Sequence, residues 1–462
     1  MTFLIAPILS ECYLTFRTYS IRSNNISLGG VHKEYLSIDT QFIEWFVGLC
    51  DAESNFLIRT RKNEIGEIGG FEFVFRIALH KDDKEVLEYI KDILGCGRLN
   101  TERDLLVFTI SRLSDIETVL IPLFDKFSLN TTKFLDYLNF KEAFFLFKNR
   151  KFSSETSKAS EAIEQTYLNI IELKQSMNSN RVNFVLPRNH SIWITDNYLV
   201  GLLEGDGSFY LNKQDMTIRL SLVTTTINRE VLEKIREHFL SLLDEHSYML
   251  GSTTKLINIY NKKVKAENRP ISILEIYQID FINNVLIAYL NGIKFRTKKY
   301  KDYLDFRTIA QLILEGKYLT QKGEELITKL GDSMNNNRLS TCLSPRILDK
   351  TFKSQLDLLI KSEPLINIDS EGRAMIISKK KYIRSTYIIK AYFLNGSFNY
   401  FTNGISCAKF LHVSNMTITT RLNDGKPVIN KEGLIVANCI KRIKAYSYRN
   451  SYRKIRKNNH LG

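Results

Sequence analysis

Two stretches of the chain run through apolar residues straight into carboxylates: "FVGLCDAESNF" at 46–56 and "LVGLLEGDGSF" at 199–209. Each predicts a helix with an acidic tip, and alternating apolar and polar residues after each helix predict strands. In the first copy the strands are expected at 55–61, 71–80 and 105–110, with "KNEIGEIGG" as the hairpin loop between the first two. The equivalents in the second copy are 208–213, 216–225 and 271–281. Apolar spacing of three and four predicts amphipathic helices over 84–94 and 229–243. Strand alternation turns Phe56 and Ile58 toward a core and leaves Asn55, Arg59 and Arg61 facing out, with Arg76 in the next strand. In the second copy Tyr210 and Asn212 share a face, and Arg219 and Ser221 follow in the adjacent strand. Such a face suits either solvent or a nucleic-acid groove.

The correspondence continues beyond the helices. "TTKFLDYLNF" (131–140) matches "TKKYKDYLDF" (297–306), setting Lys133 opposite Lys299, and "LKQSMNSNR" (173–181) matches "LGDSMNNNR" (330–338). Three landmarks in one order mean a duplicated fold whose copies differ by insertions. Each copy reads as mixed helix and strand, an α+β class.

The acid-tipped helices carry glycine, which costs about 1 kcal/mol against alanine in a helix interior. Gly48 and Ala52 lie one turn apart, as do Gly201 and Gly205. Small residues at that spacing let two backbones approach, so the helices are expected to pack on each other about a pseudo-twofold axis. Packing them brings Glu53 and Asp206 together at their electronegative C-terminal ends, where a cation would relieve the repulsion. Oxygen ligands with open positions suit Mg²⁺. Metal ions beside a phosphodiester activate water and stabilise the leaving oxygen, with Lys133 and Lys299 neutralising charge on the phosphate. Asp51 and Glu204, two positions earlier, read as solvated helix-end acids rather than metal-shell residues.

Composition narrows the setting. The 462 residues allow two to four domains and sizeable cores, at 44% hydrophobic. No apolar run is long enough to span a membrane. The six cysteines and seven histidines show no metal-ligand spacing. From Met375 onward there are 17 Lys+Arg against two acids, which accounts for the whole net charge of +15. Basic residues alternate there with Tyr and Ile, favouring a polyanion-binding module over a solvated tail. Abundant Phe, Tyr, Ile, Asn and Lys with seven Pro point to AT-rich coding of an organellar kind. The first 30 residues suit a transit peptide or a disordered leader.

"FVGLCDAES" and "LVGLLEGDG" resemble the two motifs of the LAGLIDADG homing endonucleases in their single-chain form. The resemblance covers about 40–338. It implies αββαββα half-domains forming a DNA-binding saddle, and metal-dependent double-strand cleavage of a long site. By position, Glu53 and Asp206 are then the metal-binding catalytic acids, and Lys133 and Lys299 the nearby basic residues. One departure stands out: the first copy ends in Glu-Ser where the family pattern has Asp-Gly, which bears on metal geometry in that half.

"AKFLHVSNMTITTRLNDGKP" (408–427) reads as helix, turn, helix and glycine stop. Ala408, Leu411, Val413, Ile418 and Leu422 form its core, and Ser414 is the N-cap of the second helix. Asn415, Thr417, Thr419, Thr420 and Arg421 are left for DNA. This resembles the helix-turn-helix modules appended to homing endonucleases, with "FLNGSFNYF" (393–401) as a preceding hairpin.

The expected organisation is a leader to 38, half-domains at 39–150 and 191–340 joined by a linker, a second linker over 341–385, the helix-turn-helix module at 386–445 and a basic tail. The expected protein is a monomeric, intron-encoded DNA endonuclease of a mitochondrion, or else a chloroplast, with double-stranded DNA as partner and no membrane association. An intron-RNA maturase on the same fold and a cleavage-dead DNA-binding protein are the alternatives.

Overall fold

In the computed structural model the described residues run from 38 to 446, apart from 151–155, several positions within 245–255, and 263–268, 344–347, 369–373, 383–384 and 402. Nearly all of the expected leader, and the basic tail from 447, lie outside them. The first copy opens with α1 (Thr40–Glu53), then β1 (Ser54–Lys62), β2 (Ile68–His80), α2 (Lys84–Leu94), β3 (Arg98–Glu102) and β4 (Leu105–Ile110). Helical turns over 113–126 lead to α3 (Lys133–Lys148) and α4 (Thr156–Gln175). The second copy repeats the order with α5 (Asp196–Asp206), β5 (Gly207–Asn212), β6 (Thr217–Thr225), α6 (Arg229–Ser241), β7 (Ile257–Lys262), β8 (Ile271–Ile276), α7 (Lys299–Leu314) and α8 (Gln321–Asp332). The four-stranded antiparallel sheets have matching orders, β1-β2-β4-β3 and β5-β6-β8-β7. Edge strands β3 and β7 escape the sequence reading because their residues are mostly polar and exposed.

One face of each sheet is apolar. Phe56, Phe73, Phe75 and Phe108 are fully buried, with Phe56 ringed by Phe124, Tyr137 and Phe140 at 5.4–5.7 Å. In the second copy Phe209 packs at a tilt against Tyr303 and Phe306. The 151–190 stretch expected as a linker carries α4, whose Tyr167 packs edge-on against Phe71 at 5.1 Å. The region 341–385 likewise holds α9 (Lys350–Lys361) and the small sheet of β9 (Ile366–Ile368), β10 (Ala374–Ile376) and β11 (Lys381–Tyr382).

The third sequence landmark proves to be a clamp. Asp136 accepts from Asn178 N and Arg181 Nε, both at 2.9 Å, while Asn178 Nδ2 reaches Phe56 O at 2.9 Å. Asp302, Asn335, Arg338 and Phe209 O repeat these bonds at 2.8–3.0 Å. Both asparagines take left-handed backbone, φ 56° and 58°, a conformation asparagine tolerates better than most residues.

The C-terminal module comprises β12 (Ser385–Tyr392), β13 (Phe398–Phe401), α10 (Gly404–Phe410), α11 (Asn415–Asp424), β14 (Val428–Ile429), β15 (Ile435–Ala437) and β16 (Cys439–Tyr446). The expected core of Ala408, Leu411, Val413, Ile418 and Leu422 is present, sealed by Ile389, Ala391 and Ile440 of the sheet. Ser414 Oγ accepts from Thr417 N at 3.0 Å, and Gly425 ends α11 at φ 67°. This capping and this core hold α10 and α11 as two short helices joined by a turn.

Candidate active site

The two acid-tipped helices cross at their glycines. A Cβ on Gly48 would lie 2.0 Å from Tyr198 O, and one on Gly201 would lie 2.0 Å from Trp45 O. No side chain fits in either place, so backbone meets backbone there. One turn on, a Cβ on Gly205 would meet the Ala52 Cβ at 2.3 Å and Glu53 Cγ at 3.1 Å. That contact sets the Glu53 side chain beside the residue preceding Asp206.

Asp51 and Glu204 do not sit in solvent as expected. Both are buried, at 5% exposure each. Asp51 accepts from Asn130 N (2.8 Å), Thr131 N (3.1 Å) and Thr131 Oγ1 (2.5 Å) in its own copy, and from Tyr198 OH (2.8 Å) in the other. Glu204 accepts from Arg296 N (2.6 Å), Thr297 N (2.5 Å) and Thr297 Oγ1 (3.0 Å), and from Trp45 Nε1 across the seam at 2.5 Å. Each acid therefore ties the start of its own third long helix to an aromatic residue of the opposite copy. Sequence reading missed this because the role belongs to the partners: Trp45 and Tyr198 occupy equivalent positions yet look like ordinary core residues.

The ends of the long helices are crossed as well. Asp83 accepts from Lys298 N at 2.8 Å, and Asn228 accepts from Thr132 N at 2.9 Å. Each copy thus satisfies an orphan amide at the other's helix start. These positions bring in Lys133 and Lys299. Lys133 Nζ donates to Cys50 O (2.8 Å) and Ala52 O (3.2 Å) at the end of α1, and Lys299 Nζ donates to Gly207 O (2.7 Å) after α5.

Glu53, Asp206, Lys133 and Lys299 are close enough to perturb one another. Lost hydration pushes the Asp206 pKa up to about 6, with repulsion from Glu53 adding to it and the two lysines opposing it. Asp206 is nevertheless exposed at the end of α5, so the position is crowded but open. Glu53 is raised for the same first reason, against the pull of both lysines. Lost hydration lowers both lysines, outweighing their anionic neighbours. Two carboxylates held near each other are a hard oxygen donor set, which fits a divalent cation.

Ser54, the departure from the family pattern, is accommodated. Its Oγ donates to Cys50 O at 2.7 Å. At the equivalent Gly207 a Cβ would meet Leu203 O at 2.4 Å, so the second copy tolerates no side chain where the first turns one into a hydrogen bond.

The outward sheet faces carry the other expected residues, in unequal states. Arg59 and Arg61 are exposed and sit 3.9 and 3.8 Å from Glu72, while Arg76 pairs with Glu102 at 3.0 Å. Tyr210 donates to Glu275 at 2.6 Å, and Asn212 is half-buried on the same face. Arg219 and Ser221 take the expected face but are not open to a ligand. Arg219 is enclosed between Asp215 (2.8 Å) and Glu275 (3.1 Å), and Ser221 is buried. In the module, Asn415, Thr419 and Thr420 are exposed and Thr417 half-buried, while Arg421 pairs with Asp424.

These features define a class: a tandem αββαββα protein with one acid from each copy meeting at a glycine-packed helix seam. Both copies match the family model described as LAGLIDADG endonuclease, over residues 46–144 and 199–310. The chain belongs to the LAGLIDADG homing endonuclease family. The "Probable intron-encoded endonuclease 2" of Neurospora crassa is 24% identical over 72% of this chain and 73% of its own length. The "Uncharacterized mitochondrial protein RF1" of Saccharomyces cerevisiae is 21% identical over 86% of this chain and 82% of its own. The fold is that of the LAGLIDADG homing endonuclease I-LtrWI bound to target DNA (TM-score 0.52, 21% identity, 64% of this chain and 98% of that one). It is also that of I-SmaMI bound to uncleaved DNA in the presence of calcium ions (TM-score 0.50, 22% identity, 63% and 98%). The C-terminal module lies beyond the residues the family model matches.

Proposed function

We propose that the protein is a site-specific DNA homing endonuclease that makes a metal-dependent double-strand break, encoded by a mitochondrial intron. The observation that carries this reading is the meeting of Glu53 and Asp206 at a seam that both copies build and neither completes alone. Glu53 and Asp206 would hold the divalent cation, Mg²⁺ in the cell. When bound, such an ion supplies a lowered water pKa and charge stabilisation on the phosphate. The chain's own part is to fix the two acids through the glycine contacts and to set two ammonium groups beside the scissile phosphate. Lys133 and Lys299 hold their positions through carbonyls at the helix ends, and their lowered pKa suits them to exchange a proton at the reacting oxygens. Binding of duplex DNA falls to the outward sheet faces, led by Arg59, Arg61, Arg76, Tyr210 and Asn212. Asn415, Thr417, Thr420 and Arg421 of α11 add a second grip as a helix-turn-helix. The relatives' names and the DNA-bound neighbours support this reading.

The test is cleavage of duplex DNA carrying the intronless junction, with Mg²⁺ present. Wild type is expected to cut both strands, and Asp206→Asn to lose roughly a hundredfold or more in rate. Unchanged cutting by Asp206→Asn removes this site from the reaction.

A further inference from the structure

The sheet of the C-terminal module has a second face that the helix-turn-helix does not use. Its strands lie in the order β13-β12-β16, all antiparallel. Residues directly opposite one another on such strands share a face. Ile389, Ala391, Phe401 and Ile440 point inward to the helices and are buried. The alternate positions point away. There Tyr392 pairs with Phe398, and Lys390 pairs with both Tyr400 and Lys441. Phe398 is 45% exposed, Lys441 is exposed, and Lys390, Tyr392 and Tyr400 are half-buried.

These five side chains form one surface. The Lys390 ammonium lies 3.8 Å from the Phe398 ring centre, 4.8 Å from Tyr392 and 5.3 Å from Tyr400, and Lys441 lies 5.9 Å from Tyr392. Phe398 and Tyr400 meet edge to face at 5.5 Å. Solvent-facing rings interleaved with ammonium groups, on strands whose sequence carries no Asp or Glu, complement a ligand with flat apolar faces and regularly spaced negative charge. A duplex hides its bases from such a surface, whereas an unpaired strand offers both faces and phosphates.

We propose that this sheet face binds single-stranded nucleic acid, bases stacking on Phe398, Tyr400 and Tyr392 and phosphates meeting Lys390 and Lys441. The site is separate from the cleavage centre and from α11, so its failure leaves the nuclease reading intact. RNA and an unwound DNA strand share this chemistry and differ at the 2′-hydroxyl.

The full-length protein, with chelator present, is titrated into fluorescein-labelled oligouridine and oligothymidine of about fifteen nucleotides, and anisotropy is read. Wild type is expected to bind at least one of them. A preference of tenfold or more for oligouridine names RNA as the ligand, and equal binding names either unpaired strand. Phe398→Ala with Tyr400→Ala is expected to bind about tenfold or more weakly, with duplex cleavage unchanged. Lys441→Gln is expected to lower the log–log salt slope by about 0.7. If the double variant melts abnormally, Phe398→Ala alone and Phe398→Trp decide, the first losing affinity and the second keeping it. Binding of neither strand by wild type overturns the proposal. So does wild-type affinity in a normally folded Phe398→Ala, Tyr400→Ala variant.

Discussion

At the scale of single residues the two acids at the seam set the pH behaviour. Asp206 titrates near 6 in the fold against about 4 in an unfolded chain, so its charge opposes folding. That penalty is absent below about pH 4, where the acid is neutral in both states, and complete above about pH 6. Asp206→Asn is therefore expected to raise the melting temperature more at pH 8 than at pH 4.5. A divalent cation should raise that of wild type in the same direction, since binding displaces protons from the pair. Equal shifts at both pH values would show that the acid pair is not strained. Asp51 belongs to a different kind of residue. Asp51→Ala leaves the buried groups of Asn130, Thr131 and Tyr198 without their acceptor. About 3 kcal/mol of stability should go with it, read from urea denaturation.

The elements show what could be read in the sequence and what could not. Helices 84–94 and strands 105–110 emerge with the expected limits because periodicity and burial agree there. The expected strand 271–281 stops at Ile276, and Ile279–Phe281 turns helical, because apolar and polar residues keep alternating over Gln278–Phe281 and so do not mark the change. The seam was legible because only close backbone contact explains glycine inside both helices. The cross-copy bonds to Asp51 and Glu204 were not, since their geometry joins residues about 150 positions apart. The seam also yields the sharpest mutational test. Gly48→Ala and Gly201→Ala each drive a methyl into a carbonyl 2.0 Å away and should abolish folding or cost several kcal/mol. Gly205→Ala meets a side chain instead, so adding Ala52→Gly should restore much of the lost melting temperature. No rescue would mean that the helices are not packed in this register.

At the scale of the molecule, the two sheets have the same topology and different surfaces. Arg59, Arg61 and Arg76 line one outward face, while Tyr210 and Asn212 line the other beside an Arg219 already enclosed by acids. The halves of a bound DNA site should therefore contribute unequally. Scanning each base pair of the target is expected to show no mirror symmetry in cleavage, and a palindromic profile would contradict the assignment of these faces. The duplication itself was visible in the sequence, but its surfaces were not: alternation placed Arg219 and Ser221 outward without showing the carboxylates or burial that occupy them.

Because Asp51 and Glu204 are each held by the opposite copy's aromatic residue, and Glu53 and Asp206 are set together only by the seam between the copies, the genetic unit of the proposed activity is the undivided reading frame. A frameshift between the repeats would leave a first repeat without Asp206 and without the Tyr198 hydroxyl and Asn228 side chain that it needs from the second. Such a lesion is expected to inactivate the gene at one stroke.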